Sequence, residues 1–176
     1  MKSAKIQKLT VTALFTSLSV VLSILESFLP TFAFLPPGAK PGFSNIIVMF
    51  SAMSLGVPQT LFIVFAKAFF AFLTRGAVAG LMSLAGGLLS GICMLIVLGK
   101  LKMTGCIGAG VLSAVCHNSG QLMVSFITVG SSAVFGYAPV LLIVSVVTGV
   151  ITGAILRAAI PYFNGLEKLF SKEMGK

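Results

Sequence analysis

The sequence has very few acidic residues: it contains no aspartate and three glutamates among 176 residues. Hydrophobic residues make up 57% of the chain, and its mean hydropathy is +1.12. A soluble domain cannot bury that much apolar surface, so the composition predicts a protein of the lipid bilayer. A polar side chain at membrane depth needs a partner or a cavity, which makes the polar residues inside apolar segments the main functional candidates.

Residues that bind metals or form disulfides are also scarce. The three cysteines (Cys93, Cys106 and Cys116) are isolated and His117 is the single histidine, so the sequence has no metal-site spacing and no disulfide framework. It also lacks a glycine-rich phosphate loop, which excludes ATP hydrolysis by that route. We predict no bound metal and no cofactor, and we interpret the cysteines as small residues that pack helices.

Six apolar segments predict an all-α, polytopic membrane protein that forms one integral membrane domain over residues 1–176. At about 20 residues per span, a six-helix bundle uses most of the chain. The segments are Leu9–Phe28, Phe43–Leu55, Gln59–Leu73, Val78–Leu98, Gly105–Val129 and Pro139–Ala159. Residues 162–176 form a tail with apolar residues at helical spacing, which predicts a helix along the inner membrane surface or, alternatively, a solvated end.

The basic residues predict the orientation of the chain in the cell membrane. The first apolar segment continues to Phe28 without a cleavage site, so we interpret it as a retained span. With six spans and a cytoplasmic N-terminus, nine lysines and arginines lie on the cytoplasmic side, and Lys40 and Arg75 lie outside. This asymmetry places both termini in the cytoplasm. The net charge of +9 then reflects topology and does not indicate a nucleic-acid partner.

The segment before the second span combines prolines and glycines with one lysine. Three prolines and two glycines surround Lys40 in residues 36–45, which predicts a stiff external loop. Ser44 is a candidate N-cap of the following helix, and a helix N-terminus next to Lys40 suits an anionic ligand. The alternative is a simple turn whose lysine extends to the membrane surface.

Lys67 lies in the middle of the third span, where a cation is unusual. Its acidic candidate partner within the membrane is Glu26, near the external end of the first span. The sequence leaves two hypotheses open: a structural ion pair with Glu26, or a cation that faces a polar cavity and binds an anion together with Lys40 and Arg75.

Three hydrogen-bonding side chains lie close together in the fifth span. His117 and Gln121 are four residues apart and share a helix face, whereas Asn118 lies about 100° round the helix. They either form hydrogen bonds between helices or bind a ligand. We expect His117, Asn118 and Gln121 to surround one cavity in the outer half of the bundle with Lys40, Asn45 and Lys67.

Three ordered motifs resemble those of the Gx transporter family, which is also labelled heptaprenyl diphosphate synthase component I. They are residues 37–45 (PGAKPGFSN), residues 83–90 (SLAGGLLS) and residues 117–121 (HNSGQ). The family is similar to the substrate-binding S components of energy-coupling-factor (ECF) transporters. That resemblance implies six helices, cytoplasmic termini and an external substrate site covered by the loop between the first two helices.

The resemblance also implies partners. S components carry small residues four apart on their first helix, where they dock a transmembrane coupling subunit that works with ATPases. Ala13 and Ser17 fit this pattern, although Val21 departs from it. The substrate site implied here contains Lys40, Asn45, Lys67, Arg75, His117, Asn118 and Gln121.

Two functions outside solute uptake remain open. Prenyl diphosphate synthases hold Mg²⁺ with aspartate clusters, and a chain without aspartate is not expected to be an enzyme. A non-catalytic role linked to prenyl diphosphate or quinone metabolism is the first alternative. The second is a membrane subunit of a flavin or quinone electron-transfer assembly, in which a partner holds the redox centre.

Overall fold

The structure is a computed structural model that describes residues 2–28, 40–100 and 105–174, with side chains over 5–28, 40–97 and 105–162. The described residues contain six α-helices and no strand. The helices are α1 (Lys2–Phe28), α2 (Asn45–Ser54), α3 (Val57–Arg75), α4 (Ala77–Met94), α5 (Cys106–Val129) and α6 (Ala138–Met174). A π-helical turn, Leu95–Lys100, extends α4, and a 3₁₀ turn, Ser132–Tyr137, precedes α6.

Four of the predicted spans are long and apolar enough to cross a membrane. They are Lys5–Phe28, Val57–Arg75, Ala77–Val97 and Ser132–Tyr162. α2 is ten residues long, and α5 is 24 residues long but carries the polar residues of the 117–121 motif. The described residues therefore support an all-helical membrane-associated bundle with four candidate spans, and the predicted count of six is not established.

Glycines with positive φ angles stand between consecutive helices. Gly56 (φ 89°) separates α2 from α3, and Gly76 (φ 90°) separates α3 from α4. Residues with side chains rarely adopt this conformation, so glycine allows two helices to reverse direction within one residue. α6 differs from its predicted bounds, because it continues through Pro161 to Met174 instead of ending near Ala159. Residues 162–174 are thus helical, and their position at the membrane surface stays a prediction.

Small residues allow the helices to pack closely. A Cβ atom on Gly149 or Gly153 of α6 would collide with the backbone of α5, and one on Gly110 of α5 would collide with α6. On α4, a Cβ on Gly87 would lie 2.8 Å from Val64 of α3. These glycines therefore bring α4 close to α3 and α6 close to α5.

The apolar core contains buried residues from all six helices and lies towards the end of α1 that carries the N-terminus. The Phe15 and Phe50 rings pack edge to face with centroids 5.5 Å apart, which joins α1 to α2. Met49, Ile63 and Met94 are fully buried beside them. The outward faces carry exposed leucine, isoleucine and phenylalanine side chains, as expected of a surface in contact with lipid.

Candidate functional site

A polar pocket lies at the opposite end of α1, where α1, α3, α4 and α5 meet residues 40–44. Its lining includes Lys40, Lys67, Arg75, His117 and Gln121, which are five of the seven predicted site residues. The remaining lining residues are Ser23, Glu26, Ser44, Ala79, Met82 and Ser83. The pocket thus collects the cations and polar side chains of an otherwise apolar chain.

Each of the three cations donates a hydrogen bond to a neutral oxygen. Lys40 Nζ donates to Ser27 Oγ at 2.5 Å, and Arg75 Nη2 donates to Ser23 Oγ at 3.3 Å. Lys67 Nζ, on a side chain only 4% exposed, donates to Asn45 Oδ1 at 3.2 Å. Asn45 therefore lies behind the pocket and positions Lys67, while it does not itself line the cavity.

Glu26 is the single carboxylate of the pocket, and it is held by Ser44. The backbone N–H of Ser44 donates to Glu26 Oε1 at 3.2 Å, and its hydroxyl donates to Oε2 at 3.0 Å. The prediction that Ser44 caps α2 is wrong: its backbone is helical and its side chain makes no capping bond, because the hydroxyl is used by Glu26. No ion pair links Glu26 to Lys67 within the part of the chain that the structure describes.

Partial burial, and secondarily the positive charge of Arg75, lower the pKa of Lys40 to about 8, although Glu26 acts in the opposite direction. Three cations and one carboxylate therefore share a small volume, and the positive charges are in excess. An environment of this kind favours an anion, which would offset the repulsion between the cations.

Gln121 fixes the backbone of Lys40. The N–H of Lys40 donates to Gln121 Oε1 at 2.8 Å, and Gln121 Nε2 donates to the carbonyl of Lys40 at 3.2 Å. Nearby, Gly42 has a φ angle of 88°, and a Cβ there would lie 3.0 Å from the His117 ring. Residues 40–42 of the predicted loop (36–45) are thus held against α5, whereas residues 29–39 lie outside the described residues.

His117 is buried in the pocket against α4. A Cβ on Gly86 would lie 2.6 Å from His117 Nδ1, so glycine is needed for the ring to fit. Two buried polar atoms around the pocket, Asn45 Nδ2 and Ser83 Oγ, have no hydrogen-bond partner among the residues that the structure describes. An unpaired buried polar group costs about 1–3 kcal/mol, which a ligand with acceptor and donor atoms would offset.

Asn118 lies outside the pocket, contrary to the expected grouping. Its amide donates to Ser145 Oγ of α6 at 2.7 Å, and Ser145 in turn donates to the carbonyl of Leu141. The reason is the helical repeat, which turns Asn118 about 100° away from His117. For this residue, hydrogen bonding between helices is the interpretation that the geometry supports.

The cavity measures about 20 Å³, which is room for one water-sized group. A solute of more than a few atoms therefore enters only if the lining side chains or the segment before α2 move. In the described part of the chain, no three histidine, cysteine or acidic residues are close enough to hold a metal ion.

Sequence reasoning missed two lining residues, Ser23 and Ser83. Ser23 is three residues before Glu26 on α1 and therefore on the same helix face, so this spacing could have identified it as a lining residue. The two predicted docking residues, Ala13 and Ser17, lie exposed on α1, and the Ser17 hydroxyl donates to the carbonyl of Ala13 at 3.0 Å.

A family model described as heptaprenyl diphosphate synthase component I matches residues 15–159. The matched range contains every residue that lines the pocket. No curated protein and no solved structure matches the chain.

Proposed function

The chain belongs to the heptaprenyl diphosphate synthase component I family, and we propose that it is a non-catalytic membrane subunit that binds a small anionic solute in its polar pocket. The observation that carries this proposal is the convergence of Lys40, Lys67 and Arg75 around one carboxylate, Glu26. A desolvated cation without a counter-charge is unfavourable at membrane depth, and an anion bound in the pocket would relieve that cost.

We propose further that all six helices cross the membrane and that both termini are cytoplasmic. The nine-to-two distribution of basic residues supports this orientation. α2 and α5 are the two helices outside the four candidate spans. A short or polar helix is tolerated in a bilayer where it is surrounded by protein. In this orientation the pocket opens towards the outside, where a solute for uptake is captured.

We propose that partner proteins supply the energy for uptake, because the sequence has no phosphate loop with which to hydrolyse ATP itself. The proposed partners are an ECF-type coupling subunit and its ATPases. The exposed small residues Ala13 and Ser17 support a docking face on α1, since small side chains let another helix approach closely. Co-purification of such a subunit, and its loss in Ala13→Leu/Ser17→Leu, would test this part of the proposal.

The second candidate function is a non-catalytic component linked to prenyl diphosphate metabolism, and the family description favours it. A diphosphate is also an anion, so the same pocket charges suit its headgroup. The two functions predict different partners. ATPases found bound to the chain would support uptake, and a bound prenyl diphosphate synthase subunit would support the metabolic role. A membrane subunit of a flavin or quinone assembly is the third candidate function, and no contact among the described residues supports it.

The proposed function is tested by identifying small molecules that co-purify with the full chain. Mass spectrometry of the extracted ligand is compared between the native protein and Lys67→Met, with Asn118→Ala as a matched control outside the pocket. We expect an anion that is retained by the native protein and by Asn118→Ala and is lost from Lys67→Met. Retention of the same molecule by all three proteins, or a cationic ligand, would contradict the proposal.

A further inference from the structure

A second recess lies between α1 and α3, at the end of the bundle that carries the N-terminus. It has a volume of about 370 Å³ and is open to the surroundings of the bundle. Its lining includes Lys5, Lys8, Leu9, Pro58, Gln59 and Phe62. Lys5 and Glu26 are 21 residues apart on α1, which is about 32 Å of helix and close to the thickness of a bilayer core. The recess, here called the basal groove, thus lies at the membrane surface opposite the pocket.

The walls of the basal groove are apolar. Leu9 is 69% exposed and Phe62 is 57% exposed, and Pro58 adds a third apolar surface between them. The exposed face of α3 continues towards the bilayer centre through Phe65 and Phe69. The groove is therefore continuous with the surface that contacts lipid tails, and an acyl chain can lie along it.

The rim of the basal groove is positively charged. Lys5 and Lys8 are one turn apart on α1, so both side chains reach the same side of the helix. Glu26 is the single acidic side chain among those described, so no carboxylate of that set neutralises the two lysines. The Thr12 hydroxyl is used by its own helix, because it donates to the carbonyl of Lys8 at 2.7 Å.

The N-terminus of α3 faces the same groove. α3 begins at Val57 after Gly56 without a side-chain cap, so N–H groups of its first turn have no intrahelical partner. Such a terminus attracts a phosphate, and here two lysines add full positive charges beside it.

From these contacts we infer that the basal groove binds an anionic phospholipid of the membrane leaflet on the N-terminal side. The phosphate lies between Lys5, Lys8 and the first turn of α3, and the first part of an acyl chain lies against Leu9 and Phe62. A lipid is favoured over a protein partner because the apolar walls open directly onto the lipid-facing surface of α3. The inference is independent of the solute pocket and of the proposed function.

The inference is tested by native mass spectrometry of the delipidated full chain titrated with phosphatidylglycerol and with phosphatidylcholine. We expect one tightly bound phosphatidylglycerol and weaker binding of the zwitterionic lipid. Lys5→Gln/Lys8→Gln should weaken the binding of phosphatidylglycerol about 30-fold, because each lysine near an anionic group raises the affinity about fivefold. The matched control, Lys100→Gln/Lys102→Gln, removes the same charge from another basic segment and should leave this binding unchanged.

Two further probes separate the parts of the site. Glycerol 3-phosphate has the headgroup chemistry without the chain and should bind far more weakly than the lipid. Equal losses in the two double variants would overturn the inference, because they would indicate diffuse attraction. Unchanged binding of phosphatidylglycerol by Lys5→Gln/Lys8→Gln would also overturn it.

Discussion

Lys67 is the residue whose chemistry is hardest to explain without a ligand. It is almost completely buried, and its ammonium group donates to a neutral amide oxygen of Asn45. Its candidate acidic partner, Glu26, is instead held by Ser44. Lys67 therefore has no direct ion-pair partner among the described residues, and Glu26 is one carboxylate shared by three cations, so an anion in the pocket would balance the surplus charge.

We predict that Lys67→Met weakens binding of an anion by about 30-fold or more, because removal of a desolvated charge partner costs about 2 kcal/mol or more. Folding should be spared, since the substitution also removes the cost of burying the charge in the empty protein. Melting temperature and anion affinity are measured together, with inorganic phosphate, pyrophosphate and short carboxylates as probes. Unchanged affinity with a large loss of melting temperature would mean that Lys67 is structural.

Lys40 gives a pH-dependence prediction. Burial and Arg75 lower its pKa to about 8, so it is charged below that pH and neutral above it. A bound anion favours the charged form, and anion affinity should therefore fall as the pH rises from 7 to 9. Lys67, Arg75 and Glu26 are ionisable groups of the same pocket. Lys40→Arg is therefore the control, because it changes the titration of residue 40 alone. Arginine stays charged in this range and should flatten the profile; an equally steep profile in Lys40→Arg would assign the titration to another group.

The residue scale also shows where sequence reasoning succeeds. Lys40, Lys67 and Arg75 were conspicuous because cations are rare in an apolar chain, and the structure brings all three to one pocket. Asn118 and Ser44 could not be assigned in this way. Their roles depend on which neighbours face them across helix contacts, namely Ser145 and Glu26, and one sequence does not specify those neighbours.

At the scale of elements, glycines set the distance between helices. Gly110 on α5 faces Gly149 and Gly153 on α6, and a side chain on any of them would meet the backbone of the other helix. Without a hydrophobic force between helices in lipid, such close contact and its dispersion energy hold the pair together. The four-residue glycine spacing on α6 was readable from the sequence, but its partner helix was not.

We predict that Gly149→Leu destabilises the protein by about 3 kcal/mol or more, because the side chain has no space and α5 must move. Gly108→Leu is the matched control, since a Cβ at Gly108 meets nothing within 4 Å. Thermal unfolding in detergent measures both variants. A melting temperature for Gly149→Leu equal to that of Gly108→Leu would contradict the close packing of α5 and α6.

Element boundaries divide into those that the sequence predicts and those that tertiary context decides. Glycines at positions 56, 76 and 130 ended three predicted segments within a few residues of the observed ends. α6 is longer than predicted because its polar end continues the same helix beyond Pro161. Hydropathy identifies where a span is apolar, and it carries little information on how far the helix continues into a polar region.

At the scale of the whole molecule, the charged and apolar surfaces are separated along the bundle. The pocket occupies one end of α1 and the basal groove the other, with an apolar core between them. Composition alone predicted a membrane protein. Length and hydropathy single out four candidate spans, because α2 is short and α5 contains polar residues that form part of the pocket.

We predict that residues 100 and 168 are accessible from the cytoplasm. Single cysteines at these positions, in a variant without Cys93, Cys106 and Cys116, should react with a membrane-impermeant thiol reagent after the cells are opened and not before. A cysteine in place of the exposed Thr74, at the opposite end of α3, should react in intact cells. Labelling of position 100 or 168 from outside would contradict six spans with cytoplasmic termini.

The central claim, an anion site built from surplus positive charge, is tested most directly by changing the pocket charge in both directions. Glu26→Gln removes the single pocket carboxylate but keeps an oxygen that can accept from Ser44, whereas Lys67→Met removes a cation. The affinity of the best-binding anion is measured by calorimetry for both variants and the native protein. The account predicts tighter binding by Glu26→Gln and weaker binding by Lys67→Met, and changes of the same sign in both variants would contradict it.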